Sequence, residues 1–450
     1  MLGLPPHGWR GNEGEVFMSE FKTILNQMFG ASQTEEATLN SALGRLGGVD
    51  SFVKKTRGDR VIWAIVILLT IASLLLVYSS TGSLAYRMSK STESYLFKQF
   101  AFIILGLLII YWAHRINYTI YSKVAKVLFL ISIPLLIYTL FFGVQLNAGS
   151  RWIRLPVINM TFQTSDLAKL ALFMYMSRML SRKQLVIKDF KKGFLPIILP
   201  VGVICLLIAP ANLSTAILIG GTSMLLMFIG RASNKHLLAT LGVVLIPVVL
   251  LTSIALATYD KEAGESKKLP AILSAGRIPT WISRIQTFVY SKKEDDNEKM
   301  YQTNQAKIAI ANGGLFGLGP GNSQARNYLP HSYSDFIYAI IIEEYGLLGG
   351  AAILCIYLLF LLRCIRIYRK CPYAFGAFLA LALSFMLVIQ AMANMAVNVN
   401  LFPNTGVTLP LVSMGGSSFL FTCLSIGIIL SVARNVEQQE GKLEPVPVSK

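Results

Sequence analysis

Charge is scarce in this chain. Of its 450 residues 14% are charged and 54% hydrophobic, a balance that argues against a soluble domain and describes a membrane protein. Acids are scarcer than bases, 23 Asp and Glu against 41 Lys and Arg, for a net charge of +18. The bases are dispersed among loops instead of forming one patch, which makes nucleic acid a poor partner. They read as a topology signal, assisted by attraction to anionic lipid. Cysteine is limited to Cys205, Cys355, Cys364, Cys371 and Cys423, all in apolar runs or beside basic loops, which argues against a disulfide framework or a metal knuckle. No apolar stretch precedes Val61, so no secretory signal is expected. The glycine run Gly313-Gly-Leu-Phe-Gly-Leu-Gly-Pro-Gly321 lacks the Gly-Lys-Ser/Thr of a Walker loop, and tight turns at the membrane surface account for it.

Apolar length is what the chain has in abundance. A run of about 20 apolar residues spans a bilayer, and the sequence predicts ten spans: 61–80, 100–113, 120–142, 162–180, 194–208, 213–229, 237–257, 336–362, 374–397 and 411–432. The second is short, and Leu96 to Gln99 are expected to extend it. The fold class is therefore all-α and polytopic, with a long periplasmic loop, 258–334, between the seventh and eighth spans. Alternate connections are basic, through Lys54, Lys55, Arg57 and Arg60, then Arg115 and Lys123, Arg182 to Lys192, Arg231 and Lys235, and Arg363 to Lys370. The positive-inside rule places these loops and both termini in the cytoplasm. Residues 1–60 read as a flexible cytoplasmic tail, with Met18 a second candidate start. Residues 61–434 form the membrane domain, and 435–450 a short cytoplasmic tail.

Ionisable groups at membrane depth mark candidate function, because an unpaired charge there costs several kcal/mol. Asp335 stands where the glycine-rich loop turns into the eighth span. Helix capping by Asp335, Ser332 or Ser334 and service as an outward-facing base are both open for it, and they are compatible. Glu343 and Glu344 lie about 12 Å deeper, at 1.5 Å per residue, and pairing with a buried Lys or Arg is the expected role. Asp166 and Lys169, three apart, can meet on one helix face, either as a neutral pair or as a site for an anionic head group. Arg151 beside Trp152 fits an interfacial anchor or a phosphate grip. Arg277, Trp281 and Arg284 recur at helical spacing, which predicts an amphipathic helix on the membrane surface. Two breaks are expected at membrane depth, around Pro403–Ser418 and around Pro210–Thr215. Irregular backbone survives there only when buried in protein or lining a wet cavity.

These motifs, in order over most of the chain, resemble the SEDS family (shape, elongation, division and sporulation) of bacterial cell-wall enzymes. The matches include Tyr78-Ser-Ser, Ser150-Arg-Trp-Ile, Gln163-Thr-Ser-Asp-x-x-Lys169, Asn212-Leu-Ser-Thr-Ala, Arg284 with Phe288, and Tyr301-Gln302. They continue through Gly321-Asn-Ser, Ser334-Asp-Phe, Glu343-Glu-x-Gly346, Gln390 with Asn394 and Asn398, and Pro410-Leu-Val-Ser-Met-Gly-Gly-Ser-Ser418. The first span is more similar to the division member FtsW than to the elongation member RodA.

The resemblance implies a peptidoglycan glycosyltransferase that polymerises lipid II on the outer face of the bacterial inner membrane, for septal synthesis in division. It implies Asp335 as the catalytic residue, the Asp of a His-Thr-Asp-Phe motif. Candidate substrate-binding residues are Lys169, Asp166, Arg151, Arg284, Ser334, Gln302, Ser417 and Ser418. Departures from the family are Tyr333 for His, Ser334 for Thr, Asp166 for Glu, Thr164 for Pro, and Met414 for Tyr. The implied partner is a class B penicillin-binding transpeptidase, together with other membrane proteins of the divisome. No cofactor is fixed by the residues; a divalent cation is compatible with them but not readable from them. The alternatives are a lipid II flippase, an elongation-type polymerase and, third, a proton-coupled transporter.

Overall fold

The structure, a computed structural model, describes residues 58–82, 92–146, 149–155, 160–258, 278–289, 298–329, 332–403 and 405–443. The expected N-terminal tail up to Arg57, the Met18 start, Arg277 and residues 444–450 lie outside them.

Asp59 begins the first helix, α1 (Arg60–Ser80). Its Oδ1 accepts from the amides of Val61 and Ile62 at 2.9 and 3.3 Å, which satisfies donors that a helix start leaves orphaned. Its Oδ2 takes Arg363 Nη2 at 2.8 Å and Nε at 2.9 Å. There follow α2 (Thr92–Arg115), α3 (Tyr118–Phe142), α4 (Thr164–Lys183), α5 (Leu195–Ile208), α6 (Leu213–Ile229), α7 (Asn234–Ala257), α8 (Ile278–Val289), α9 (Glu298–Gly313), α10 (Ile337–Lys370), α11 (Ala374–Asn398) and α12 (Ser417–Leu443). Each of the ten expected spans is represented by a helix. Eight of the described helices are long and apolar enough to cross a membrane. Helix α6 is apolar but shorter, and α4 carries Asp166, Lys169, Arg178, Arg182 and Lys183.

Helix α11 is the central post. Of its apolar stretch 78% is buried inside the protein, against 6% for α7. It packs on α4, α6, α10 and α12, while α2 lies against α12 and α3 against α4. Every polar group on α11 therefore needs a partner within the protein.

The extension expected for the second span is present: its helix starts at Thr92 and is of full length. Three features depart from the expectations. A three-stranded antiparallel sheet, β1 (Val144–Leu146), β2 (Gly149–Leu155) and β3 (Met160–Gln163), joins α3 to α4 and qualifies the all-α reading. The last helix starts at Ser417 instead of Leu411, because Val399–Gly416 is largely irregular, and it continues through Leu443. Finally, α10 is not continuous: Gly346 has φ 69° and ψ −174° and divides it into two helical pieces.

The glycine-rich loop fills that break. Leu318 and Gly319 amides donate to the carbonyls of Glu343 and Glu344 at 2.9 and 3.0 Å, and the Leu347 amide donates to Gly314 O at 2.9 Å. Approach this close leaves no room for side chains. A Cβ on Gly346 would lie 2.2 Å from Leu315 O, and one on Gly317 would lie 2.3 Å from Glu344 O.

Candidate functional site

The irregular segment after α11 is bound into the protein by side chains from three helices. Asn394 Nδ2 donates to Val407 O at 2.7 Å and Gln390 Nε2 to Thr408 O at 3.0 Å. Tyr357 Oη of α10 donates to Pro410 O. Ser73 Oγ of α1 donates to Val412 O at 2.8 Å and accepts from Gln99 Nε2 at 2.8 Å. These bonds replace water for backbone that would otherwise be orphaned at membrane depth. Leu411 is held at φ 63°, a left-handed conformation that costs a bulky residue about 1–3 kcal/mol and persists only where the surroundings impose it.

Asp335 sits against this segment. The cap position of α10 is Phe336, and the first-turn amide of Ala339 goes to Asn398 Oδ1 at 3.1 Å. Asn398 thus serves a first-turn amide that Phe336 O also accepts, at 3.1 Å. The half-buried Asp335 accepts from Ser334 Oγ at Oδ1, 2.9 Å away. Its carbonyl accepts from Asn394 Nδ2 and Asn398 Nδ2 at 2.9 and 3.0 Å. Tyr333, which replaces the family's imidazole, has its pKa raised by burial and further by Tyr95 and the Asp335 carboxylate. Its phenol stays protonated at neutral pH and can donate but not serve as base.

A second cluster lies along α4. Lys169 Nζ pairs with Asp166 Oδ1 at 2.8 Å, as the three-residue spacing predicts, and donates to Gln390 Oε1 at 3.1 Å. Asp166 is 4% exposed and its Oδ2 has no hydrogen-bond partner among the described residues. Lys169 and Gln390 line a small cavity with Thr215, Thr222 and apolar residues of α4, α6 and α11. Gln390 therefore joins the two clusters: one end of its amide meets Lys169, and the other meets the segment that abuts Asp335.

The two glutamates depart from expectation. Buried Glu343 takes Ser323 Oγ and the amides of Gln324 and Ala325, a structural cap on the glycine-rich loop. Buried Glu344 takes Ser79 Oγ, and Arg326 Nη1 reaches Ser79 O at 2.9 Å. Neither carboxylate has the expected Lys or Arg ion pair among the described residues. Hydroxyls and amides meet these acids without a second buried charge, whose desolvation would be costly, and Glu344 Oε2 has no hydrogen-bond partner among the described residues.

Other predicted residues are spread out. Ser417 Oγ accepts from the Gln163 amide at 3.2 Å, which places the start of α12 against the start of α4. Ser418 lies in the first turn of α12 and accepts Thr422 Oγ1 at its carbonyl. Gln302 is buried on α9, which packs on α10. Arg151 lies on β2 and Arg284 on α8; their side chains are outside the described residues. The amphipathic helix expected around Trp281 is α8, held at the end of α7 by Gln286 Nε2 on Ala255 O at 2.8 Å. Among the described residues no three His, Cys, Asp or Glu side chains gather as metal ligands. Sequence reasoning missed the supporting roles of Gln390, Asn394 and Asn398, although polar residues four apart in an apolar helix share one face and need partners.

Comparison with known proteins gives this arrangement its context. The FtsW/RodA/SpoVE family model, described as cell cycle protein, matches residues 59–438. The chain is 30% identical over 379 residues to a probable peptidoglycan glycosyltransferase FtsW of Geobacter sp. (strain M18), covering 83% of this chain and 96% of the relative. It is 31% identical over 387 residues to stage V sporulation protein E of Bacillus subtilis (strain 168), covering 85% and 98%. In fold it is similar to a chain of a solved peptidoglycan synthase complex that coordinates polymerization and crosslinking, with TM-score 0.64, 21% identity and coverage of 85% and 99%. It is also similar to the rod shape determining protein RodA of Thermus thermophilus, with TM-score 0.57, 22% identity and coverage of 84% and 97%. With nearly the full family length matched and both motif clusters in place, this multi-pass membrane protein belongs to the FtsW/RodA/SpoVE family of cell cycle proteins.

Proposed function

We propose that this protein is a peptidoglycan glycosyltransferase that polymerises lipid II, with Asp335 as its general base. The observation that carries the reading is the arrangement at the start of α10: Asn394 and Asn398 of α11 hold the Asp335 main chain, and Gln390 of the same helix binds Lys169 at a cavity. The relatives named as FtsW glycosyltransferases support it. In the reaction a sugar hydroxyl of one lipid-linked disaccharide attacks the anomeric carbon of another. The new C–O bond forms as the bond to the lipid pyrophosphate breaks, the electron pair leaves with the pyrophosphate, and the hydroxyl proton passes to Asp335. Lys169, with Arg151 or Arg284, stabilises the charge that develops on the leaving group; Asp166 and Gln390 orient Lys169. Ser334, Gln302, Ser417 and Ser418 complete the substrate contacts.

The helices cross the inner membrane ten times, with both termini in the cytoplasm and residues 258–334 in the periplasm. Residues 1–60 and 435–450 are cytoplasmic tails. The alternation of basic loops supports this orientation. The partner is a class B penicillin-binding transpeptidase, a proposal supported by the likeness to a synthase complex that couples polymerization to crosslinking. The role is septal synthesis, and the naming of FtsW relatives supports it.

The test is Asp335→Asn assayed on purified lipid II. Polymer formation falls by a factor of about 10² or more, while lipid II binding and folding persist. A folded Asp335→Asn protein that polymerises at the normal rate overturns the assignment and leaves the cavity to head-group passage by a flippase.

A further inference from the structure

Three successive carbonyls around the proposed base are gripped from one side. Tyr333 O accepts from the Met414 amide at 3.0 Å. Ser334 O accepts from Ser413 Oγ at 2.7 Å. Asp335 O accepts from both Asn394 Nδ2 and Asn398 Nδ2, at 2.9 and 3.0 Å. A peptide unit is planar, so fixing its carbonyl fixes the plane. The planes on either side of the Asp335 Cα belong to the Ser334 and Asp335 carbonyls, and both are held. With them φ and ψ of Asp335 are set, and so is the direction of its Cβ. Only the side-chain torsions remain, and the Ser334 hydroxyl restrains the carboxylate at 2.9 Å.

The holding groups are themselves immobile. Asn394 and Asn398 are both 1% exposed on the central helix. Asn398 is tied to Asn394 O at 2.9 Å, and Asn394 to Val407 O. Ser413 accepts the Leu409 amide at 2.8 Å, in the segment that carries the left-handed Leu411. Two amides spent on one carbonyl exceed what a buried acceptor needs for satisfaction.

We infer that Asn394 and Asn398 are positioning residues that act through Asp335, holding its main chain so that the carboxylate meets the attacking hydroxyl. The inference rests on the reading of Asp335 as the base. A displacement of about 1 Å at a reacting group costs up to about 10²-fold in rate, and one of the two amides leaves the other in place. A single substitution is therefore expected to lower the rate by about tenfold.

The experiment is a double-mutant cycle on the full-length purified protein, with lipid II as substrate and conditions that give wild-type polymer. Asn398→Ala lowers kcat by about tenfold and leaves KM for lipid II within about twofold, since uniform binding is untouched. In the Asp335→Asn background the same substitution changes the residual rate by less than about twofold, because a base that is absent cannot be mispositioned. An equal loss in both backgrounds overturns the inference and assigns Asn398 to the fold alone, with the base reading intact. A full rate for Asn398→Ala also overturns it. A normal rate for Asp335→Asn alone removes the base reading, and is read from that variant without the cycle. Should Asn398→Ala fail to accumulate through loss of its bond to the Ala339 amide, Asn394→Ala carries the same cycle, for it serves the same carbonyl and leaves that bond in place.

Discussion

Two stretches of broken backbone lie in this protein, and they are repaired by opposite means. At Gly346 the break in α10 is closed by another stretch of main chain, the glycine-rich loop, through bonds from backbone to backbone. At Val399–Gly416 the irregular segment is closed mostly by side chains, from Asn394, Gln390, Tyr357 and Ser73. Backbone repair demands the absence of side chains and fixes geometry without leaving functional groups. Side-chain repair brings amides and hydroxyls to the interior, and the same groups reach Asp335 and Lys169. The first break is architecture, and the second gathers the residues of the candidate site.

The largest expected effect tests the backbone repair. Gly346→Ala places a Cβ 2.2 Å from Leu315 O, against main chain that cannot rotate away, at a φ of 69° that a side chain disfavours. Folded protein is expected to fall to a small fraction of the wild-type level, measured as monodisperse material after detergent extraction. Wild-type yield and stability would mean that the glycine-rich loop can withdraw from the break, and the contrast between the two repairs would fail.

A smaller effect is expected at the other break. Gln390→Met keeps volume and helix propensity but removes the donor to Thr408 O and the acceptor for Lys169 Nζ. Leaving a buried carbonyl unsatisfied costs about 1–3 kcal/mol and Thr408 is only half-buried, so the protein is expected to fold with a modestly lower unfolding temperature. Lys169 keeps Asp166, and weaker lipid II binding is expected alongside. Collapse of the fold, as at Gly346, would show that side-chain repair is as unforgiving as backbone repair.

What could be read in advance divides along the same line. Helix positions were legible because apolar length and caps are local: α6 occupies the expected 213–229. The Asp166–Lys169 pair was legible because i,i+3 spacing is a property of one helix. The break at Gly346 was not, since its cause lies in a loop some thirty residues earlier whose carbonyls and amides fill it. A glycine in an apolar run carries no sign of what approaches it. The part Asn398 plays at the start of α10 was not legible for a related reason. Acids and hydroxyls near a helix start are the usual caps, but here an asparagine from α11, sixty positions away in the chain, serves a first-turn amide. The sheet between α3 and α4 was missed because strands of three to seven residues beside a membrane are outweighed by the apolar runs on either side.

The smallest effect concerns a carboxylate that caps amides in water. Asp189, outside the spans, accepts from the Lys191 and Lys192 amides at 2.9 and 3.1 Å, as buried Glu343 does for Gln324 and Ala325. Those amide bonds, the Lys192 one foremost, hold its pKa below the usual carboxylate value. A depressed folded pKa contributes stability that is complete above the unfolded value, about 3.9, and is lost as pH falls through the folded value. At neutral pH the contribution is present, but the group is fully exposed and water can take its place, so the effect is expected to be slight. Asp189→Asn keeps a capping oxygen of equal quality and removes the titration. The two proteins should therefore unfold at nearly the same temperature at neutral pH, with wild type losing slightly more stability than the variant on acidification below the unfolded value. A large loss in Asp189→Asn at neutral pH would mean that this loop is held as tightly as the glycine-rich one. The distinction between repair inside the membrane and capping in water would then have to be abandoned.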